Sequence, residues 1–175
     1  MKSAVIISGP LAQDHEFIYP YYRLLEEKVT LDVCLIGGKP VNGILGTPLP
    51  PNKNHVVKDI NQISIKDYDL VVLPGGVKAM EKIRQDKRLI SFIRNFHEEN
   101  KLIACICSGA QLLISAKIVK GKKIAGYYSM EDDLTNAGAI YTDREVVFDS
   151  KIITTAHYKD MGPWMGETIR QLNNA

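Results

Sequence analysis

Four compact apolar runs rich in β-branched residues divide the chain. They cover residues 4–8, 31–36, 70–73 and 102–106. Each run is almost continuously apolar rather than alternating, a pattern typical of strands that are covered on both faces of a sheet. The runs therefore predict four buried strands.

Helical periodicity follows the first of these strands. The apolar positions that recur at the spacing of one helix face are Phe17, Tyr21, Leu24 and Leu25. Asp14 stands before them, where the side chain of an N-cap residue would bond to the first free amides of a helix. The pattern predicts a helix that Asp14 caps and whose four apolar side chains face the core.

Similar patterns predict a helix pair, or one broken helix, over residues 80–96 and a further helix over 111–118. Residues 37–57 are rich in Gly and Pro and suit a long loop or a small hairpin beside the sheet. Strands that alternate with helices imply parallel pairing through right-handed crossovers. The expected fold class is therefore α/β, with a mainly parallel sheet.

The C-terminal third predicts a mixed arrangement. Residues 145–147 and 151–154 flank Asp149-Ser150, a plausible hairpin turn, and residues 164–172 read as a closing helix. The composition does not shift along the chain, so we expect one domain over residues 1–175.

Bulk composition excludes several classes of function. The formal net charge is only +2, too weak a field to hold nucleic acid or an anionic membrane by charge alone. No segment approaches the roughly 20 apolar residues of a membrane span, and the run over residues 4–7 is too short for a signal peptide. We therefore expect a cytoplasmic protein that binds neither nucleic acid nor membrane.

The three cysteines, Cys34, Cys105 and Cys107, have neither disulfide nor zinc-site spacing. In a reducing compartment they are expected to be free thiols. Metal-ligand clusters and a dinucleotide-binding glycine pattern are also lacking, so no metal and no organic cofactor is expected.

The most informative stretch runs from Lys101 to Ile114. An apolar strand leads directly into Cys107-Ser108-Gly109, and a helix begins at once. This is the layout of a nucleophile elbow, in which a tight strand-to-helix turn pushes the nucleophile out of the end of the sheet. The nearby helix N-terminus would favour the thiolate and lower the pKa of Cys107.

An inert cysteine at a strand end would look similar, since free cysteines are commonly buried. The combination of strand, Cys-x-Gly and helix favours the functional interpretation for Cys107. Cys34 and Cys105 lie inside strands and are expected to be core residues.

Two further features could belong to the same site. Gly75-Gly76 follows the third strand, where two backbone amides could point into the crevice and stabilise an oxyanion or a thiolate. Glu16 lies four residues before Pro20, which cannot donate a helical hydrogen bond to its carbonyl. A buried carboxyl there could hydrogen-bond to a thiol, although an acidic residue early in a helix is favoured anyway.

Taken in order, these pieces resemble the ThiJ/PfpI family of the class I glutamine-amidotransferase-like group. The resemblance covers essentially the whole chain, through the stretches 16–21, 73–76, 79–84, 105–114 and 133–139. It implies a flavodoxin-like three-layer sandwich with a nucleophile elbow, assembled as a homodimer or a larger homo-oligomer.

The resemblance also assigns roles to residues. It implies that Cys107 is the nucleophile, that Glu16 hydrogen-bonds to its sulfur, and that the Gly75 and Gly76 amides line the pocket. In PfpI-type members a histidine follows the cysteine, and a glutamate matching Glu81 reaches over from a neighbouring subunit.

This sequence departs from that pattern at Ser108, which occupies the place of the histidine. A serine hydroxyl cannot serve as the base that a peptidase needs near neutral pH. His157, just after a predicted strand, is the best substitute, although the sequence favours a solvated loop histidine over a base there. Tyr127 lies in a segment that borders the pocket in relatives.

Three functions follow as hypotheses. The leading one is an enzyme that uses Cys107 against small reactive carbonyls or glycated adducts, in a hydrolase or lyase reaction that protects against stress. The second is a thiol redox sensor or chaperone-like stress protein with little turnover. The third is an intracellular cysteine peptidase of the PfpI type acting on peptides, which Ser108 disfavours.

Overall fold

The fold of the protein was analysed in a computed structural model that describes residues 1–175. Seven strands form one twisted sheet in the order β10-β11-β7-β6-β1-β2-β5. Their bounds are β1 Ser3–Ser8, β2 Thr30–Leu35, β5 Val57–Lys58, β6 Leu70–Leu73, β7 Leu102–Ile106, β10 Val147–Asp149 and β11 Ile152–Thr155. All neighbours pair in parallel except β10 with β11.

Six helices flank the sheet. They are α1 Asp14–Glu26, α2 Val77–Ile83, α3 Lys87–Glu98, α4 Ala110–Ser115, α5 Glu131–Asn136 and α6 Met161–Asn173. Helix α1 packs with α6, and α3 packs with α4. The predicted α/β fold with a mainly parallel sheet is confirmed, as is the helix pair after the third strand.

Four short strands form two small sheets outside the main one. They are β3 Val41–Asn42, β4 Pro48–Leu49, β8 Lys123–Ile124 and β9 Ile140–Tyr141. The antiparallel pair β3–β4 is the small hairpin that the Gly- and Pro-rich segment predicts. The same segment ends in β5, an edge strand of the main sheet that the sequence analysis did not identify.

Several local predictions were wrong. Leu25 is 42% exposed, so only Phe17, Tyr21 and Leu24 of the predicted face are buried. The helix after Cys107 ends at Ser115 rather than at residue 118. The C-terminal hairpin turns at Ser150–Lys151, one residue later than predicted, because both of these residues take the positive φ that a tight right-twisted hairpin favours.

Asp14 does not cap α1. Its carboxylate accepts hydrogen bonds from the backbone amides of Leu45 (2.8 Å) and Thr47 (3.0 Å). These bonds fasten the β3–β4 hairpin to the start of α1. Burial raises the pKa of Asp14, but the hydrogen bonds from the hairpin outweigh it, and the net shift is downward.

The carboxyl ends of β1, β6 and β7 lie at one edge of the sheet, since the three strands are parallel neighbours. Chain segments that leave these ends therefore meet in one crevice, the usual position of ligand sites in open α/β sheets. No helix of the chain is long and apolar enough to cross a membrane.

Candidate active site

Cys107 lies immediately after β7, on a single turn of 3₁₀ helix over Cys107–Gly109 that leads into α4. Its φ is +58°, in the left-handed region that a residue with a side chain rarely adopts. A backbone held there stores about 1–3 kcal/mol of strain, which the surrounding structure must offset. This is the elbow geometry that the sequence predicts, and it leaves the thiol half-buried at the sheet edge.

Gly109 allows the elbow to approach the neighbouring strand. A Cβ at this position would lie 2.7 Å from the carbonyl oxygen of Leu73 and 3.0 Å from Sγ of Cys105. Neither atom can move away easily, because both belong to central strands. Any residue other than glycine would therefore push the Cys107 turn away from β6.

Glu16 reaches the thiol from the first turn of α1. The residue is 1% exposed, and its carboxyl lies next to Cys107 and interacts with the thiol. Its Oε2 also accepts the backbone N–H of Gly75 at 2.8 Å. The carboxyl is thus fixed between the ends of β6 and β7.

The bond between Gly75 and Glu16 corrects one sequence-based expectation. The amide of Gly75 was expected to face a ligand beside that of Gly76, but it is occupied by Glu16. Gly76 does line the cavity. Its φ is +100°, and a Cβ there would lie 2.5 Å from the backbone nitrogen of Gln13, so this position requires glycine.

Two groups of Ser108 interact with the sulfur of Cys107. Its backbone amide is hydrogen-bonded to the Cys107 side chain, and its Oγ lies 3.7 Å from Sγ. The side chain is buried. Both contacts stabilise negative charge on sulfur, but neither group accepts a proton near neutral pH.

The thiol and the carboxyl both hold their protons more tightly than usual. Burial raises the pKa of Cys107 to about 12, the nearby Glu16 charge adds to the rise, and the Ser108 hydrogen bonds oppose it. Burial likewise raises the pKa of Glu16 to about 7, against hydrogen bonds from Cys107 and Gly75. Between these values the pair holds one proton and one negative charge.

The predicted lowering of the thiol pKa is therefore wrong. Helix α4 begins only at Ala110 and has six residues, so its dipole is small. Desolvation and the adjacent carboxyl dominate instead. A nucleophilic thiolate must arise by transfer of the thiol proton to Glu16.

Glu16 and Cys107 both line a cavity of about 600 Å³. The cavity also contains residues that the sequence analysis did not single out. They are Gln13, Ile44, Val77, Gln111, Ser129, Met130, Asp133 and Tyr158. A shallow depression of similar size between residues 60–65 and 87–95 contains no cysteine or acidic residue and offers no comparable chemistry.

Aromatic rings form one wall of the cavity. Tyr127 and His157 both line it, with ring centroids 6.3 Å apart and nearly parallel planes. The ring centroids of Tyr158 and His157 lie 4.0 Å apart with tilted planes, and His15 stacks on Tyr158 at 5.4 Å. Two of the predicted pocket residues, Tyr127 and His157, are thus brought to the same cavity as Cys107.

The imidazole of His157 has a defined hydrogen-bonding state. Its Nδ1 accepts the backbone N–H of Lys159 at 3.2 Å, so the proton of the neutral ring lies on Nε2. Glu81, by contrast, is exposed on α2 and does not line the cavity of its own subunit. No group of three or more His, Cys, Asp or Glu side chains is arranged to hold a metal ion.

Comparison with known proteins agrees with this geometry. The family model described as the DJ-1/PfpI family matches residues 2–171. The chain belongs to the DJ-1/PfpI family.

Named relatives cover nearly the full length of this DJ-1/PfpI chain. "Deglycase PfpI" of Pyrococcus furiosus is 34% identical over 168 residues, which are 96% of this chain and 98% of the relative. "Protein/nucleic acid deglycase 2" of Escherichia coli is 31% identical over 175 residues, 98% of this chain and 97% of the relative. The crystal structure of Drosophila melanogaster DJ-1beta superposes with a TM-score of 0.88 at 25% identity, covering 98% and 90% of the two chains.

Membership in the DJ-1/PfpI family confirms the resemblance found in the sequence, and with it the flavodoxin-like fold. Glu16, Gly75 and Cys107, which carried the resemblance, lie next to one another, and Glu16 and Cys107 line the cavity. The residues that sequence reasoning missed come mostly from loops, where a single sequence carries no periodicity to reveal their direction. For Gln111 a signal did exist, since it lies one helical turn after the elbow.

Proposed function

We propose that this protein is a Cys107-dependent, deglycase-like enzyme that removes small reactive carbonyl compounds from amines or thiols. The observation that carries the proposal is the placement of Glu16 beside Cys107, both lining a cavity of about 600 Å³. The pair shares one proton between pH about 7 and about 12. The names of the Pyrococcus furiosus and Escherichia coli relatives support the same chemistry.

The reaction requires Glu16 to move a single proton, first from the thiol of Cys107 and then to the leaving amine. For an amine adduct of methylglyoxal, Glu16 takes the thiol proton while Sγ bonds to the adduct carbon. The carbon–nitrogen bond breaks, and the same proton leaves on the amine. The resulting hemithioacetal rearranges through an enediol to a lactoyl thioester, and water hydrolyses this to lactate and free thiol. All atoms balance with water as the only added reactant.

The other predicted site residues have supporting roles in this proposal. Ser108 stabilises charge on sulfur, Gly76 provides an amide at the cavity, and Tyr127 and His157 shape the wall that holds the substrate. Glu81 would act only from a neighbouring subunit. We therefore propose a homodimer or larger homo-oligomer of one domain, residues 1–175, acting in the cytoplasm, where thiols stay reduced.

The two alternative functions have less support. A PfpI-type peptidase needs a base beside the thiol, and Ser108 fills the place of the family histidine. His157 lines the same cavity, but its Nδ1 is engaged with Lys159. A redox sensor would favour a thiolate at rest, whereas burial raises the thiol pKa to about 12.

The direct test is release of lactate and free amine from Nα-acetyllysine that has been treated with methylglyoxal. The wild-type protein is expected to release both products in equal amounts, and Cys107→Ala is expected to abolish the release. Cys34→Ala, a matched change of a buried cysteine in β2, is expected to retain it. Unchanged release by Cys107→Ala, or no release by the wild type, would contradict the proposed function.

A further inference from the structure

Gln111 occupies the second position of α4, one helical turn after Cys107, and both residues line the cavity. Arg84, the residue that follows α2, forms a hydrogen bond with the side chain of Gln111. Nη1 of Arg84 donates to Oε1 of Gln111 at 3.3 Å. Nε of the same guanidinium donates to Oγ of Ser115 at 3.0 Å, which anchors the group to the next turn of α4.

The contact with Arg84 decides which end of the Gln111 amide is available. A guanidinium has five N–H donors and no acceptor, so the amide atom that faces it must be the carbonyl oxygen. The amide nitrogen Nε2 makes no hydrogen bond within the protein and is not sealed from solvent. Gln111 therefore presents hydrogen-bond donors, rather than an acceptor, to a ligand in the cavity.

A donor at this place adds to the few that the backbone offers, of which Gly76 lines the cavity. The amide of Gly75 is occupied by Glu16 at 2.8 Å. The amide of Ser108 is hydrogen-bonded to the Cys107 side chain. Of the backbone donors nearest the sulfur, two are thus engaged with the nucleophilic pair itself. An oxygen that becomes negative when a carbonyl carbon is attacked requires donors of its own.

We propose that Gln111 donates a hydrogen bond from Nε2 to the oxygen of the carbonyl group that Cys107 attacks, and that Arg84 is the positioning residue that orients it. In this step the sulfur–carbon bond forms and the π pair of the carbonyl moves to oxygen beside Nε2. The thiol proton passes by way of Glu16 to that oxygen and completes a hemithioacetal. The inference rests on the proposed use of Cys107 as a carbonyl nucleophile.

Adduct formation with acetaldehyde tests the role of Gln111 independently of catalytic turnover. It forms a hemithioacetal with a thiol but has no second carbonyl, so the adduct cannot rearrange to a thioester. The equilibrium constant for adduct formation is measured by NMR with isotope-labelled acetaldehyde, and Cys107→Ala identifies the signal from Cys107. Reaction with dithiodipyridine, an electrophile without a carbonyl oxygen, reports the intrinsic reactivity of the thiol.

Gln111→Met keeps the length of the side chain and removes the donor. It is expected to weaken the acetaldehyde adduct about tenfold, the effect of one lost hydrogen bond. It is also expected to lower kcat for deglycation about 100-fold, because the thioester carbonyl that water attacks becomes negative beside the same donor. The rate with dithiodipyridine is expected to stay within about twofold of wild type, because no oxyanion forms in that reaction. Gln171→Met, on α6 and away from the cavity, is the matched control.

The positioning role of Arg84 has its own test. Arg84→Met frees the amide to rotate and is expected to weaken the acetaldehyde adduct, whereas Arg84→Lys keeps a cationic donor and is expected to restore it. A merely structural role would change the adduct and the dithiodipyridine rate together, and that outcome would overturn the assignment.

An unchanged adduct in Gln111→Met would overturn the inference and leave the proposed function standing if turnover persists. Absence of any acetaldehyde adduct in the wild type would also overturn it. A weakened adduct in Gln111→Met, together with no lactate release by the wild type, would support the donor role of Gln111 and contradict the deglycase-like function.

Discussion

The carboxyl of Glu16, on the first turn of α1, lies beside the thiol of Cys107 at the end of β7, and the two groups interact. Glu16 is buried and Cys107 is half-buried, and neither acidic group has a cation as partner. Each therefore resists ionisation while the other is charged. Together they hold one proton that can pass from the nucleophile to the leaving group.

This arrangement makes the protein less stable than it could be. Burial raises the pKa of Glu16 from 4.5 to about 7 in the folded chain. As pH rises through this range the unfolded chain loses a proton that the folded chain retains, so wild-type stability falls and then levels off above about 7. Glu16→Gln is expected to be more stable than wild type by about 3 kcal/mol above that pH.

Urea unfolding followed over a pH series checks the prediction for Glu16→Gln. The glutamine can still accept the Gly75 amide, so the difference in stability should vanish below pH 4.5, where both chains are neutral at this position. A Glu16→Gln variant that is less stable than wild type at alkaline pH would contradict this, because burial of the carboxylate would then not lower the free energy of unfolding.

Only one of the three thiols is expected to react in the folded protein. Cys34 and Cys105 are fully buried, and burial raises the pKa of both. Cys107 is half-buried, lines the cavity, and has Glu16 to take its proton. Intact-mass measurement after brief treatment with iodoacetamide should show a single addition, which is absent from Cys107→Ala. Labelling at Cys34 before Cys107 would contradict the site.

Gly75→Ala should disable the nucleophilic pair without touching either member. A Cβ at Gly75 would lie 2.9 Å from Cβ of Cys107 and would clash with Oε2 of Glu16. We expect a loss of about 2 kcal/mol in the free energy of unfolding and the loss of most Cys107 labelling at neutral pH.

Gly166→Ala, inside α6, serves as the control for Gly75→Ala because no heavy atom lies within 4 Å of its Cβ. It is expected to raise stability by about 1 kcal/mol through helix propensity and to leave labelling unchanged. Equal labelling of the Gly75→Ala variant and wild type would show that Cys107 stays reactive when Glu16 is displaced.

Asp14→Ala should release the β3–β4 hairpin from α1, since the carboxylate accepts both the Leu45 and the Thr47 amides. Ile44, which directly precedes Leu45, lines the cavity. We expect a loss of about 2 kcal/mol in stability and a rise in KM of about fivefold with little change in kcat. The pKa of Asp14 is lowered, so its stabilising effect is present above its ordinary pKa of 3.8 and is lost in acid.

Steady-state kinetics on Asp14→Ala and Asp14→Asn separate these effects, because the amide keeps one accepting oxygen. A fall in kcat with unchanged KM would place the hairpin in the chemical step rather than in substrate binding.

The strands and the elbow could be predicted because their signals are local. A continuous apolar run such as Leu102–Ile106 indicates a buried strand, and the Cys-x-Gly that follows it indicates a tight turn. The pairing of Glu16 with Cys107 rested on family resemblance, since no spacing rule joins a helix start to a distant strand end. Their convergence follows from the parallel order of β1, β6 and β7.

Other features depended on tertiary contacts that the sequence does not reveal. Asp14 has the residue type of an N-cap, but the hairpin amides compete for its carboxylate. The helix N-terminus next to Cys107 suggested a low thiol pKa, but burial and the Glu16 charge outweigh a six-residue helix. Gly75 was expected to bind a ligand, and its amide instead orients Glu16.

The central claim is that Glu16 accepts the proton of Cys107, and the pH dependence of kcat/KM for lactate release tests it most directly. The pair becomes reactive when it loses its first proton, so the wild-type value should rise as pH increases through about 7 and then level off. Glu16→Gln should lose this rise and fall by about 100-fold or more near neutral pH. An unchanged profile in Glu16→Gln would contradict the account, because Cys107 would then be activated by some other group.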